Sequence, residues 1–310
     1  MAKILNLSIL LLISSWVYSQ PQKPDLPTPP NCRWLYDNLF MDETEMANIH
    51  WLEFIHFAKK DSAEEVFLSL LPDTTVWRNY DSTGQRKKEY LRHPAYRNHP
   101  VVGVTPEQAQ AYCRWRTNAI NRKLIHEKGG KTSSPQYLFL FRLPSEKEWE
   151  FAALGGLDIS QYPYGFTDYL VSPTLKNEPK TYYRQLALGT SLSYKAFKDI
   201  FNNYLRNGKE PFFNIVKDFP TGTRYTAMQP MPISEIDSEK SPPGNSRPNS
   251  LGIRNMIGNV AEMVAEPGIA KGGSWAHNLE DSRILNRQYY QKPAAWLGFR
   301  CVCEVKRIKN

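Results

Sequence analysis

Most of the side chains that could do chemistry fall within residues 258–303, GNVAEMVAEPGIAKGGSWAHNLEDSRILNRQYYQKPAAWLGFRCVC. Asn259 and Glu262 set an amide beside a carboxylate in a glycine-marked turn. His277 is followed closely by Glu280, Asp281 and Ser282, after a second glycine corner at Gly272-Gly273. Cys301 and Cys303 join Cys32 and Cys113 to make four cysteines. Thiolates are nucleophiles and soft ligands, so these four come first in any redox or metal scheme. CxC alone is a poor zinc site, because no second Cys or His pair stands at ligand spacing. His277 with Glu280 and Asp281 is one imidazole short of a two-histidine, one-carboxylate iron site.

These residues need elements to hold them. In CRWLYDNLFMDETEMANIHWLEFIHFAKK, Asp42 or Thr44 is placed to cap a helix whose buried face is Met46, Ile49, Leu52, Phe54 and Ile55. Val101, Val102 and Val104 read as a short strand. Thr105, Pro106 and Gln108 then open a helix with a capping box, running to about Glu127 with Cys113 facing inward. Ser145 and Glu148 form a second capping box at the start of another helix, which ends at Gly155-Gly156. Its glutamates, Glu146, Glu148 and Glu150, read as first-turn charges complementing the helix dipole. The basic GQRKKEY stretch reads as a solvated turn, YPYG at 162–165 as a turn, and SYKAFKDIFNNYLRNG as a further helix. With helices few and far apart and many prolines from 211 to 256, the expected fold is one irregular α+β domain.

The chain has 310 residues, 41% of them hydrophobic and 13% aromatic, which predicts a folded globular body. Its net charge of +8 raises nucleic acid as a partner. The basic residues are scattered, however, and form neither an arginine-rich stripe nor a finger, so no nucleic-acid partner is expected. Residues 1–19 read as an export signal, with Lys3 before an apolar run too short to span a bilayer. Cleavage is expected before Gln20. A proline-rich leader follows at 20–31 and the domain occupies 32–310. No cysteine closely follows the apolar run, so lipid attachment is not expected, and no later segment is apolar enough to cross a membrane. An even cysteine count in an exported chain points to disulfides, and four cysteines allow three connectivities.

Five motifs carry a resemblance. PVVGVTPEQAQAYCRW, FRLPSEKEWEFAA, LGIRNMIGNVAEM, KGGSW and LGFRC stand in the order found in the formylglycine-generating enzyme (sulfatase-modifying factor) family. MDETEMANIHWLEF resembles that family's opening helix, so the resemblance covers most of residues 40–303. Within the family, DTTVWRN, HPAYRNHPVVGV and the GNVAEM variant look similar to the gliding-motility and type IX secretion lipoproteins. The resemblance implies an irregular formylglycine-generating-enzyme-like fold, related to C-type lectin-like domains, with low regular secondary structure and bound calcium. It places calcium at Gly258, Asn259, Ala261 and Glu262, and a second calcium at Asn214 and Ile215. It also implies a disulfide between Cys113 and Cys301, which leaves Cys32 for Cys303.

The active enzymes of the family bind copper through two cysteines a few residues after the GGS corner. Those two positions fall here on His277 and Ser282. Serine cannot replace a thiolate, and no cysteine lies between Gly272 and Trp296. The resemblance therefore implies a pseudoenzyme without copper: an exported binding or scaffold protein at the periplasm or the periplasmic face of the outer membrane. Its expected partners are cell-envelope proteins of gliding motility or type IX secretion. The alternative is a metal-dependent oxidoreductase with a changed active site, and the bland reading of the His277 segment is a polar surface loop.

Overall fold

The computed structural model describes residues 22–127, 136–160, 162–165, 248–277 and 279–308, together with Ser193, Lys195, Ala196, Lys198 and Asp199. The export signal, most of the helix expected after residue 193, and Asn214 and Ile215 lie outside the described residues.

The chain opens with a hairpin rather than a helix. Strand β1, Cys32–Tyr36, turns through Asp37 at a φ of 42° into β2, Leu39–Asp42. Asp and Asn tolerate the left-handed backbone that a tight hairpin turn requires. β2 pairs antiparallel with β8, Val302–Arg307, and β8 pairs with β3, Tyr137–Arg142. The sheet order β1-β2-β8-β3 joins the start, middle and end of the described chain in one layer. Asp42, expected as a helix cap, is therefore a strand residue whose N–H donates to the Cys301 carbonyl at 2.9 Å. The first helix, α1, begins later, at Asn48–Asp61, with no side-chain cap at Ala47.

Both expected capping boxes form. α2, Glu64–Ser69, and α3, Gln85–Glu89, precede α4, Pro106–Glu127. At the start of α4, Gln108 N–H donates to Thr105 Oγ1 and Thr105 N–H to Gln108 Oε1. α5, Glu146–Leu154, has the matching exchange between Ser145 and Glu148, and Gly155 ends it at a φ of 57°. The basic segment read as a turn makes the short α3, whose first amides are accepted by Asp81. The Val101–Val104 segment forms no strand. It is buried beside α1 and joined by an isolated bridge between Ala47 and Pro100.

A second sheet is built from pieces of two or three residues: β4 Ala261–Met263, β5 Ile269–Lys271, β6 Gln288–Tyr289 and β7 Leu297–Gly298. Its order is β6-β5-β4-β7, with β4 and β7 parallel. The result is a mixed α+β fold with little regular secondary structure. Trp51 of α1 stacks on Tyr112 of α4 at 5.8 Å and meets Phe299 edge-on at 6.0 Å. That aromatic contact ties both helices to the loop between β7 and β8, the loop that carries the first polar centre described next. Among the described residues, no helix is long and apolar enough to cross a membrane.

Candidate functional site

Two polar centres lie within the segment that carries the motifs. The first is a buried corner around Arg300. Arg300 Nε and Nη2 donate to the two Glu262 carboxylate oxygens, both at 2.6 Å. Trp149 Nε1 of α5 adds a bond to the same carboxylate at 2.8 Å. Arg300 also donates to the carbonyls of Asp42, Glu43 and Arg254, so one guanidinium joins β2, the 254–255 loop and β4. A second carboxylate, Glu45, accepts from Asn255 Nδ2 and Asn259 Nδ2, each at 2.8 Å. Both asparagines adopt left-handed backbone, at φ of 56° and 47°, which Asn tolerates better than most residues. Arg300, Glu45 and Glu262 are all essentially inaccessible. Burial pushes the Glu45 carboxyl up to about 7, with Arg300 opposing and Glu262 adding to the rise.

The residues expected to hold calcium meet in this corner, but not as an open cage. Both Glu262 oxygens face Arg300, and Asn259 turns its amide N–H toward Glu45. A divalent ion on Glu262 would sit against a guanidinium. Within the corner, the buried oxygen Asn255 Oδ1 lacks a partner among the described residues. Nor do those residues contain a group of three or more His, Cys, Asp or Glu placed to hold a metal.

The second centre is the turn after β5. Gly272 and Gly273 have φ of 88° and 64°, and a side chain on Gly273 would collide with Ser282. Ser282 is therefore packed beneath the turn, fully buried, and its hydroxyl has no partner among the described residues. Gln288 clamps the turn, accepting from Gly273 N–H at 3.0 Å and donating to the Asp281 carbonyl at 2.6 Å. His277 is not the surface residue that the bland reading expects. Its Nδ1 lies 2.6 Å from Ser274 Oγ and its ring meets Trp296 edge-on at 4.6 Å. Burial lowers its pKa and Asp281 opposes that shift. Beside this turn Lys271, wholly buried, binds Glu146 at 3.0 Å and Glu150 at 2.7 Å, and Arg287 also binds Glu146. The two α5 carboxylates thus do more than complement a helix dipole.

Among the described residues the cysteines join no group placed to hold a metal. All four are buried and free in this structure. Cys113 and Cys301 are brought together, with their sulfurs 3.4 Å apart. Cys32 and Cys303 are held apart. They lie on β1 and β8, the two strands flanking β2, opposite Asp42 and Phe40 respectively. Two strand spacings put their Cα atoms about 10 Å apart or more, and a disulfide needs less than about 7 Å. Burial pushes the Cys32 and Cys301 thiols well up and Cys303 to about 12, so none of these three is a thiolate at neutral pH. Arg300, Glu45, Trp149 and Asn255 are the members of the corner that reading the residues missed, and LGFR was the signal available for Arg300.

A buried Glu–Arg corner joined to a glycine turn, on a frame of short strands, is the setting for the comparisons with known proteins. The chain matches the model of the sulfatase-modifying factor enzyme 1-like domain over residues 15–305, and it belongs to that family. It is 37% identical over 93 residues to the inactive C-alpha-formylglycine-generating enzyme 2 of Bos taurus, a match covering 30% of this chain and 21% of that protein. It is 41% identical over 68 residues to the formylglycine-generating enzyme of Thermomonospora curvata, covering 22% of this chain and 15% of that protein. The chain thus spans about a fifth or less of the length of either relative. The family accordingly includes both enzymes and inactive members. Among solved structures, Treponema denticola variable protein 1 aligns over 86% of this chain and 84% of its own, at 16% identity and a TM-score of 0.41.

Proposed function

We propose that this chain is a non-catalytic member of the family that serves as a binding or scaffold protein in the cell envelope. The observation that carries the proposal is the pair His277 and Ser282. Neither side chain has sulfur, and Ser282 is sealed under Gly273, where it could meet no substrate. Burial pushes the Cys32, Cys301 and Cys303 thiols up, which supports reading them as poor candidates for copper ligation or oxygen chemistry. An inactive relative gives the reading a precedent within the family. The export signal read in residues 1–19 supports a periplasmic location or the periplasmic face of the outer membrane. DTTVWRN, HPAYRNHPVVGV and GNVAEM support a role in gliding motility or type IX secretion.

Calcium belongs to the same proposal in altered form. The corner holds two carboxylates to one guanidinium, and Asn255 Oδ1 is orphaned. A calcium ion, as a hard cation that takes oxygen ligands, would use Asn255 Oδ1 and Glu45 and would reach Glu262 only by displacing Arg300 from it. When bound it would supply charge compensation and rigidity, with no part in a reaction.

Metal analysis of protein purified without chelators, together with oxygen uptake in the presence of a cysteine-containing peptide, tests both parts. The expected result is calcium without copper or iron, and no oxygen uptake above buffer. Stoichiometric copper or iron that disappears in His277→Ala would sink the non-catalytic reading. Absence of calcium would remove the calcium part alone.

A further inference from the structure

A cavity of about 250 Å³ opens between α1 and α4 and shares no residue with the glycine turn. Its floor is an ion pair already in use. Asp42 accepts from Arg116 at 2.8 Å and from the Cys301 N–H, while Arg116 also donates to the Pro30 carbonyl. Two lining groups on α1 are not in use. His50 is largely buried, and its Nδ1 has no partner among the described residues. Glu53 is exposed and makes no hydrogen bond or ion pair with any described residue. They stand three residues apart, so one helix face carries both. Trp115 and Tyr112 of α4 supply aromatic walls.

We propose that this cavity binds a primary ammonium group, presented by a small amine or by a lysine side chain. Glu53 supplies the opposite charge, a His50 ring nitrogen accepts a hydrogen bond, and Trp115 offers its ring face. Three donors on a compact head match these three groups better than a planar guanidinium does. Burial lowers the His50 pKa, which keeps the ring neutral and one of its nitrogens an acceptor. A carboxylate and an indole are each sound partners for a cation. The proposal holds whether or not the chain is catalytic.

Isothermal titration of the full chain with three probes tests it: cadaverine, Nα-acetyl-lysine N-methylamide and Nα-acetyl-norleucine N-methylamide. Both cations are expected to bind and the neutral isostere is not. Glu53→Gln, on an exposed position that leaves the fold intact, is expected to weaken both cations about tenfold, as for loss of one charge-assisted hydrogen bond. His50→Phe is expected to weaken them less, with circular dichroism confirming the helix. Tighter binding of the capped lysine points to a partner's side chain, and tighter binding of cadaverine to a free amine. Equal binding of the norleucine probe, or unchanged affinity in Glu53→Gln, overturns the proposal.

Discussion

The Arg300 corner and the glycine turn sit close together in sequence and are finished to different degrees. In the corner, five nitrogen donors from Arg300, Trp149, Asn255 and Asn259 all reach a carboxylate at 2.6–2.8 Å. In the turn, Ser282 is buried with an unpartnered hydroxyl, and His277 leans on its own neighbour, Ser274. The corner joins three separate parts of the chain, and its charged groups are held by tertiary structure, while Asn255 Oδ1 is left unpartnered among the described residues. The difference shows a corner whose charged groups are all paired beside a turn that buries an unpartnered hydroxyl.

Breaking the corner gives the largest expected effect. Arg300→Met leaves Glu262 buried without its cation, and losing one partner of a buried pair costs about 3–5 kcal/mol. Urea denaturation is the measurement. The double variant Arg300→Met, Glu262→Met removes both charges and is expected to recover part of that loss. If the single variant cost under about 1 kcal/mol, the corner would not tie these parts of the chain together.

The two regions also differed in how far they could be read from residues alone. The capping boxes at Thr105 and Ser145 were legible because they are local: four residues exchange two hydrogen bonds wherever the chain takes them. The opening hairpin was signalled by Asp37-Asn38, but the helical spacing of Met46, Ile49 and Leu52 drew the helix start back toward Asp42. β8, more than 250 residues away, claimed Asp42 for a sheet. Glu262 was legible as a carboxylate set in a glycine-marked turn, but not its partner, because Arg300 lies 38 residues further on. The second cysteine pair failed for a related reason. Residues 301 and 303 do share a parity on their strand, but β2 lies between Cys303 and Cys32.

The glycine turn can be strained deliberately. Gly273→Ala places a Cβ at a φ of 64° and against Ser282. Left-handed backbone and overpacking together are expected to cost about 2–4 kcal/mol. Ser282→Ala in the same chain removes the nearest atom and should return part of this. Ser282→Ala alone deletes a buried hydroxyl without a partner, so stability should hold or rise. Thermal melts of the three variants separate the terms. A clear loss in Ser282→Ala alone would mean that the hydroxyl is bonded in the fold, and the contrast with the corner would fall.

The smallest expected effect sharpens the same contrast between partnered and orphaned groups. His277 has Ser274 Oγ at its Nδ1, whereas His99 is largely buried with its Nδ1 unpartnered among the described residues. Burial lowers both pKa values, His99 to about 4. Each fold therefore prefers a neutral ring, and the unfolded chain takes up the extra proton as pH falls. Stability carried by these rings is whole above about pH 6.5 and is lost below it, for His99 down to about pH 4. Against wild type, His99→Gln should lose less stability over that window, and His277→Gln should show the same sign with a smaller amplitude. Urea midpoints taken at pH 7.5, 6, 5 and 4.5 measure both. Parallel curves for wild type and His99→Gln would show that the His99 ring keeps its ordinary proton affinity in the fold, and that leaving its nitrogen unpartnered costs nothing in acid.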